Sequence, residues 1–310
     1  MSYLLTNANA LTALQNLTMT QQALSTTQNQ LSTGLAVNTA ADNAAYWSIA
    51  QTMTSNNGAL GSVGASLKTS AAMLTTFTNA LAATMSVVNL IQKDLVSAED
   101  PTANLTQIQT DIAAQQNSLL QISNGATYNG QNWLNASVNG VNSAALQTTM
   151  GLVGGYTTDG GVQLINVQGT NINLFTNGTA ATSIATASGG LLATVPATGS
   201  GALLGASAFS VTASTAQADI QNMLTSINAT ISALETASAT VGGAQEQITT
   251  QTSFVASMQT NLSNGVAALV DADMNQVSTR LQALQTQQQL GVQSLSIANQ
   301  SSSMILKLFQ

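Results

Sequence analysis

In residues 271–310, one row of positions advances by alternating steps of three and four: Leu281, Leu284, Gln288, Gly291, Leu295, Ala298, Ser302, Ile305 and Phe309. A second apolar row, Leu290, Ile297 and Met304, runs beside it. Such spacing is that of a helical face. Asp271 and Asp273 stand at the start and Lys307 near the end, where their charges suit the helix dipole. Between Arg280 and Lys307 the chain carries no charge. Two apolar rows on an otherwise neutral helix leave little to hold it alone in water. Neutral amides and hydroxyls are buried at low cost once hydrogen-bonded, so the pattern predicts a helix surrounded by other helices.

The start of the chain repeats this pattern. Positions 1–41 are uncharged. Leu4 and Leu11 are seven apart, as are Leu17, Leu24 and Leu31, with Leu14 and Leu35 filling in. A heptad seam demands a partner helix, and the equally uncharged C-terminal helix is the natural one. Gly34 is placed to end this first helix. Asp42 is placed to cap a second one carrying Trp47, Ile49 and Met53 as far as Asn56-Asn57-Gly58. Tyr46 and Trp47 are read as helical core.

A third helix is predicted through Leu67, Ala71, Leu74, Phe77, Leu81, Val88, Ile91 and Leu95. Asp100-Pro101 has the form of a helix start, followed by Leu105, Ile108, Ile112, Gln115, Leu119 and Ile122 as far as Ser123-Asn124-Gly125. Asn129-Gly130 is a strong turn signal. From 131 to 214 helical periodicity fades. Two β-prone runs, 162–167 and 171–175, suggest a small β region, with a loop-rich insertion at 177–206 that contains Pro196. Helical pattern returns at 214 through Ile220, Leu224, Ile227, Ile231, Leu234, Ser238 and Val241 to Leu262. Gly242-Gly243 weakens it, and Asn264-Gly265 is read as its end.

Composition narrows the function. Four basic and eleven acidic residues give a net charge of −7, and histidine and cysteine are absent. Without a basic cluster, nucleic acid is not an expected partner. Disulfides, thiolate metal sites and thiol nucleophiles are excluded, and so is the commonest general base. No phosphate loop or nucleophile–base set stands out, so no enzyme, cofactor or metal is expected. The N-terminal residues lack the basic and apolar regions of a secretory leader. No unbroken apolar run of membrane length is apparent, so no membrane insertion is expected. The fold class expected is mainly α: an elongated, coiled-coil-like helical trunk, both termini paired at one end, and a small β-rich region in the middle of the chain.

Several motifs, in order, resemble bacterial flagellin. At the N-terminal end they are Leu5-Thr6-Asn7, Ala10-Leu11, Asn16-Leu17, Leu31-Ser32-Thr33-Gly34-Leu35 and Ala40-Ala41-Asp42-Asn43-Ala44-Ala45. At the C-terminal end they are Ala272-Asp273-Met274, Ser278-Thr279-Arg280-Leu281-Gln282-Ala283-Leu284 and Ser296-Ile297-Ala298-Asn299-Gln300. Asn129-Gly130 with Leu134 is similar to the family's turn after the second trunk helix. The resemblance implies an inner-tube helical domain from 1–35 and 271–310, an outer-tube domain from 36–130 and 215–270, and a surface-exposed variable region at 131–214.

It further implies a structural subunit that polymerises into the extracellular flagellar filament for swimming. Its implied partners are further copies of itself, the flagellar export apparatus, an export chaperone on the C-terminal helix, a filament cap and hook-associated junction proteins. Inner-tube packing would fall to Leu4, Leu11, Leu17, Leu24, Leu31, Leu281, Leu284, Leu290, Leu295, Ile297, Met304 and Ile305, with Gly34 and Asp42 at the helix junction. The alternative from the same family resemblance is a hook–filament junction protein. A membrane-active helical protein is a third reading, disfavoured because a Gln-rich face is costly in lipid.

The chain departs from the family pattern. Gln30 stands where arginine is usual, and Tyr46 where the family has glycine. Subunit contacts should therefore be less ionic, and the filament less sensitive to salt. Ile91-Gln92-Lys93-Asp94-Leu95 occupies the place of an Arg-x-Arg-Glu-Leu pattern that an animal innate receptor reads in many flagellins. One arginine is lost and one is replaced by lysine, which implies weak signalling in a reporter-cell assay.

Overall fold

A computed structural model describes residues 7–130, 132–135, 150–157, 161–169, 172–174, 191–192 and 209–308, with side chains described as far as residue 300 except that of Met150. The order of elements is α1 (Ala8–Thr33), α2 (Ala44–Ala98), α3 (Leu105–Gly125), β1 (Met150–Thr157), β2 (Gly161–Val167), α4 (Gln217–Val270) and α5 (Met274–Leu308). The chain is mainly α, and among the described residues a two-stranded antiparallel sheet lies between the helical regions in sequence. It divides into two compact units, Met1–Gly58 with Gln259–Gln310 and Ala59–Met258. Both divisions fall inside helices, within α2 and α4, and not at loops.

In the unit 59–258 the buried row of α2 is Leu60, Val63, Leu67, Ser70, Leu74, Phe77, Leu81, Thr84, Val88, Ile91, Leu95 and Ala98. These alternate by three and four without a slip, which is the heptad repeat of packed helices. The facing row of α4 is Ile220, Met223, Ile227, Thr230, Leu234, Ala237, Val241, Ala244, Ile248 and Val255. The two helices run antiparallel. Gln92 Nε2 donates to Asn228 Oδ1 at 2.7 Å, and Gln245 Nε2 donates to Thr75 Oγ1 at 3.4 Å. Each fully buried Leu, Ile or Phe contributes roughly 1.5–3 kcal/mol.

Some positions expected in this core are replaced by their neighbours. Met223 and Thr230 are buried where Leu224 and Ile231 were expected, and Gln116 and Ser123 where Gln115 and Ile122 were. Thr84, Thr230 and Gln116 are accommodated because they are bonded, whereas the Ser123 hydroxyl is buried without a hydrogen-bond partner. Thr84 Oγ1 donates to Ala80 O at 2.8 Å and Thr230 Oγ1 to Ser226 O at 2.9 Å, each four residues back. Gln116 Nε2 donates to the carbonyl of Phe209 at 3.2 Å.

Helix ends also differ from expectation. Asn56-Asn57-Gly58 and Asn264-Gly265 do not interrupt α2 and α4. Glycine in a helix costs only about 1 kcal/mol, and packing offsets it: a Cβ on Gly265 would meet Met53 Sδ at 3.5 Å. α2 is capped by Asn43, whose Oδ1 accepts from Tyr46 N at 3.2 Å, and not by Asp42. α3 begins at Leu105 behind the cap Asn104. Asp100 instead folds a local turn, accepting from Thr102 N at 2.8 Å and Thr102 Oγ1 at 2.7 Å. α2 also contains an 18-residue window of mean hydropathy 1.4, long and apolar enough on average to cross a membrane, although no apolar run in it is unbroken over that length. About a third of that window is buried within the chain.

The β region is corrected as well. β2 pairs with the upstream strand β1, not with 171–175. Ile172 and Asn173 lie in a turn, their N–H groups donating to Gly169 O at 3.1 and 3.0 Å. The sequence MGLVGGYT hides β1 behind its glycines, yet one of them is required by close approach. A Cβ on Gly154, at the bulge between Val153 and Gly155, would sit 2.7 Å from Ile165 Cγ1. Asn129 and Gly130 adopt φ of 50° and 75°, which matches the tight turn read from their sequence. The insertion 177–206 lies outside the described residues except 191–192, and Pro196 falls outside them.

Candidate functional site

α1 and α5 pack antiparallel in the unit 1–58 with 259–310. The seam on α1 is Ala10, Ala13, Leu17, Thr20, Leu24, Thr27 and Leu31; on α5 it is Val277, Leu281, Leu284, Gln288, Gly291, Leu295 and Ala298. Two features draw the helices close. A Cβ on Gly291 would lie 3.2 Å from Leu17 Cδ1, so glycine makes room for leucine there. Asn7 caps α1 by accepting from Ala10 N at 3.1 Å, and its Nδ2 donates to Ala298 O at 3.0 Å. One amide thus ends one helix and ties it to the other.

The opposite end is a backbone junction. Gly34 takes φ 74° as the C-cap of α1, a conformation that favours glycine. Gly34 O accepts from Ala272 N at 2.9 Å, Val270 O accepts from Ala36 N at 2.7 Å, and Leu35 bridges Asp271. Asp273 starts α5, its Oδ1 accepting from Asn275 N at 3.0 Å. Asp42 serves the loop before α2. Its Oδ2 accepts from Asn38 N at 3.1 Å, Thr39 N at 2.9 Å and Thr39 Oγ1 at 3.1 Å. The bond from the Thr39 N–H, then those from its hydroxyl and from Asn38, hold the carboxyl below the usual aspartate value.

The side chains singled out in the sequence separate into two sets. Leu17, Leu24, Leu31, Leu281, Leu284 and Leu295 lie on the seam. Leu11, Leu290 and Ile297 do not: they are 69%, 60% and 61% exposed. The frame of Leu17, Leu24 and Leu31 extends back to Ala10, which leaves Leu11 one position off the seam. Leu14, Met19 and Val292 are also exposed. Leu4 lies outside the described residues; Met304 and Ile305 belong to α5, but their side chains lie outside the described set.

Two further features escaped sequence reading. Tyr46 and Trp47, expected in a core, are 48% and 38% exposed. A groove of about 740 Å³ flanks the start of α5, lined by Gln30, Ala36, Val277, Arg280 and Ala283 among others. The signal for the aromatic pair was their place in the first turn of α2, ahead of its heptad row. The groove has no local sequence signature, because 30–36 and 272–283 meet only in the fold.

A model of the bacterial flagellin N-terminal helical region matches residues 4–139, and one of the bacterial flagellin C-terminal helical region matches residues 207–309. Flagellin C of Rhizobium meliloti (strain 1021) is 38% identical over the full length of both chains. A flagellin of Brucella melitensis biotype 1 is 36% identical, again over both full lengths, and a flagellin A of Rhizobium meliloti 28%. The junction-protein alternative finds no support in these relatives. With both helical regions matched in order and relatives aligned from end to end, the chain belongs to the bacterial flagellin family.

Proposed function

We propose that this chain is the structural subunit of an extracellular bacterial flagellar filament, and that α1 and α5 drive its polymerisation. One observation carries the reading. The paired terminal helices form one apolar seam with each other and still present further apolar residues, Leu11 and Leu14 on α1 and Leu290 and Ile297 on α5, to solvent. Neighbouring copies supply the surface that buries them. Such contacts repeat without closing and build a helical polymer.

In this reading residues 1–35 and 271–310 form the inner tube, 36–130 and 215–270 the outer tube, and 131–214 the outer surface. Leu4, Met304 and Ile305 are assigned to the same inner-tube packing on the family resemblance. Gly34 and Asp42 shape the loop that joins the inner and outer regions. An export chaperone covers α5 before assembly, and the export apparatus, filament cap and hook-associated proteins are further partners. The chain acts as a building block and not as an enzyme, in keeping with its lack of histidine and cysteine.

The test is seeded growth followed by electron microscopy. Wild-type protein is expected to lengthen filament seeds into tubes. The double variant Leu290→Asp with Ile297→Asp is expected to stay monomeric with unchanged unfolding, because both side chains are solvent-exposed in the single chain. Tubes of normal length from that variant would sink the assignment of these residues.

A further inference from the structure

The first turns of α2 carry three large exposed side chains, Tyr46, Trp47 and Ile49, while Ala50 alone among 44–50 is buried. The chain has two tryptophans. The other, Trp133, is buried against Phe77, with ring centroids 5.4 Å apart. Adjacent exposed aromatic residues are the composition of an interface anchor, in which a rigid side chain fills a partner's pocket and carries much of the binding energy.

The groove beside α5 has the complementary chemistry. Val277, Ala36 and Ala283 provide apolar wall, and its volume of about 740 Å³ leaves room for more than one ring. Arg280 lines it and is exposed. It is the only cation among the described side chains of its unit. A planar guanidinium stacks on an aromatic face more readily than an ammonium does, and indole is the best acceptor of such contacts.

We propose that Tyr46 and Trp47 of one copy seat in the Arg280 groove of a neighbouring copy, with the guanidinium over the indole face. The inference rests on the filament reading and names a lateral contact within it. Knob and groove are different patches, so the contact is heterologous and repeats from copy to copy. It also assigns a role to Tyr46, which stands where the family pattern has glycine.

Because the chain has no cysteine, an introduced pair reports alone. Ser48→Cys, beside the knob, and Thr279→Cys, in the groove, are combined in the full-length protein, grown from filament seeds and treated with a short bis-maleimide. The expected result is a ladder of multimers from the double variant and none from either single variant. Trp47→Ala and Arg280→Ala are each expected to raise the critical concentration for growth at least about tenfold, the effect of losing an interface anchor. In unmodified protein the emission of Trp47 is expected to shift to the blue on assembly, since Trp133 is already buried; this readout needs no variant to fold. Filaments that grow with no ladder, an unchanged critical concentration and no emission shift would overturn the contact while leaving the filament reading standing. Cross-linking confined to single chains would also overturn it, by showing that the knob closes on its own groove. Failure of the unmodified protein to grow any filament would remove the filament reading and the contact together.

Discussion

Along α2 and α4, the inward heptad positions of the unit 59–258 are filled mostly by Leu, Ile, Val and Phe, with Ala, Ser, Thr and Met between them, and most are fully sealed. Along α1 and α5 the same repeat is filled by Ala, Thr, Gln and Gly between single leucines, and only Thr27, Val277 and Leu284 of the seam are buried. The first pair excludes water within a single chain. The second is held by backbone ties at one end, by Asn7 at the other, and by a close approach at Gly291 between them. Heptad spacing therefore sets which faces meet, while side-chain volume sets whether the meeting suffices. Ordering a residue costs about 1–2 kcal/mol, and a thin seam offsets less of that cost than a thick one. In the proposed filament the terminal pair gains the remainder from neighbouring copies.

The largest expected effect breaks the comparison if it is absent. Phe77→Ala removes a fully buried ring and should lower the unfolding free energy of the monomer by about 3–5 kcal/mol in urea titration. Leu24→Ala, on the half-open seam of α1, should cost the monomer well under half as much, yet weaken filament growth. Equal losses in the monomer would mean that the two seams are equally complete.

A smaller effect sharpens it. Gly242 and Gly243 lie in the middle of α4, and a Cβ on either would meet nothing. Gly242→Ala and Gly243→Ala should each stabilise the monomer by up to about 1 kcal/mol, read as a higher urea midpoint with an unchanged slope. A loss of stability would show that the glycines serve a packing role.

The smallest effect lies at the junction. Asp42 has a folded-state pKa below its ordinary value of 3.8, so its contribution is present above that value and is lost as pH falls through the folded one. The loop at 38–42 should loosen in acid below pH 3.8, and Asp42→Asn should remove that step. Nuclear magnetic resonance of the Asp42 carboxyl and the Thr39 amide reads both. A carboxyl midpoint at or above the ordinary aspartate value would contradict the bonding described here.

Much of this was legible in the chain. The a-type positions of α4, Ile220, Ile227, Leu234, Val241 and Ile248, and the α5 seam from Leu281 to Ala298 follow from spacing alone. Helix ends were less legible, because a glycine inside a helix costs only about 1 kcal/mol, so at Asn57-Gly58 and Asn264-Gly265 continuous packing outweighs the local turn signal. The polar core positions were hidden for a related reason. Ser and Thr look like surface residues until a hydroxyl turns back to the carbonyl four residues earlier and becomes cheap to bury.

The sequence by itself determined the periodicity, the pairing of two uncharged ends and the family, because these depend on residue types recurring along one dimension. Tertiary structure decided which of two adjacent apolar rows is consumed within the chain, which glycines are helical, and where β1 finds its partner. It also decided that Tyr46 and Trp47 face solvent and that Arg280 lines a groove. Those outcomes depend on which surfaces distant segments cover when they meet, and no local spacing encodes that.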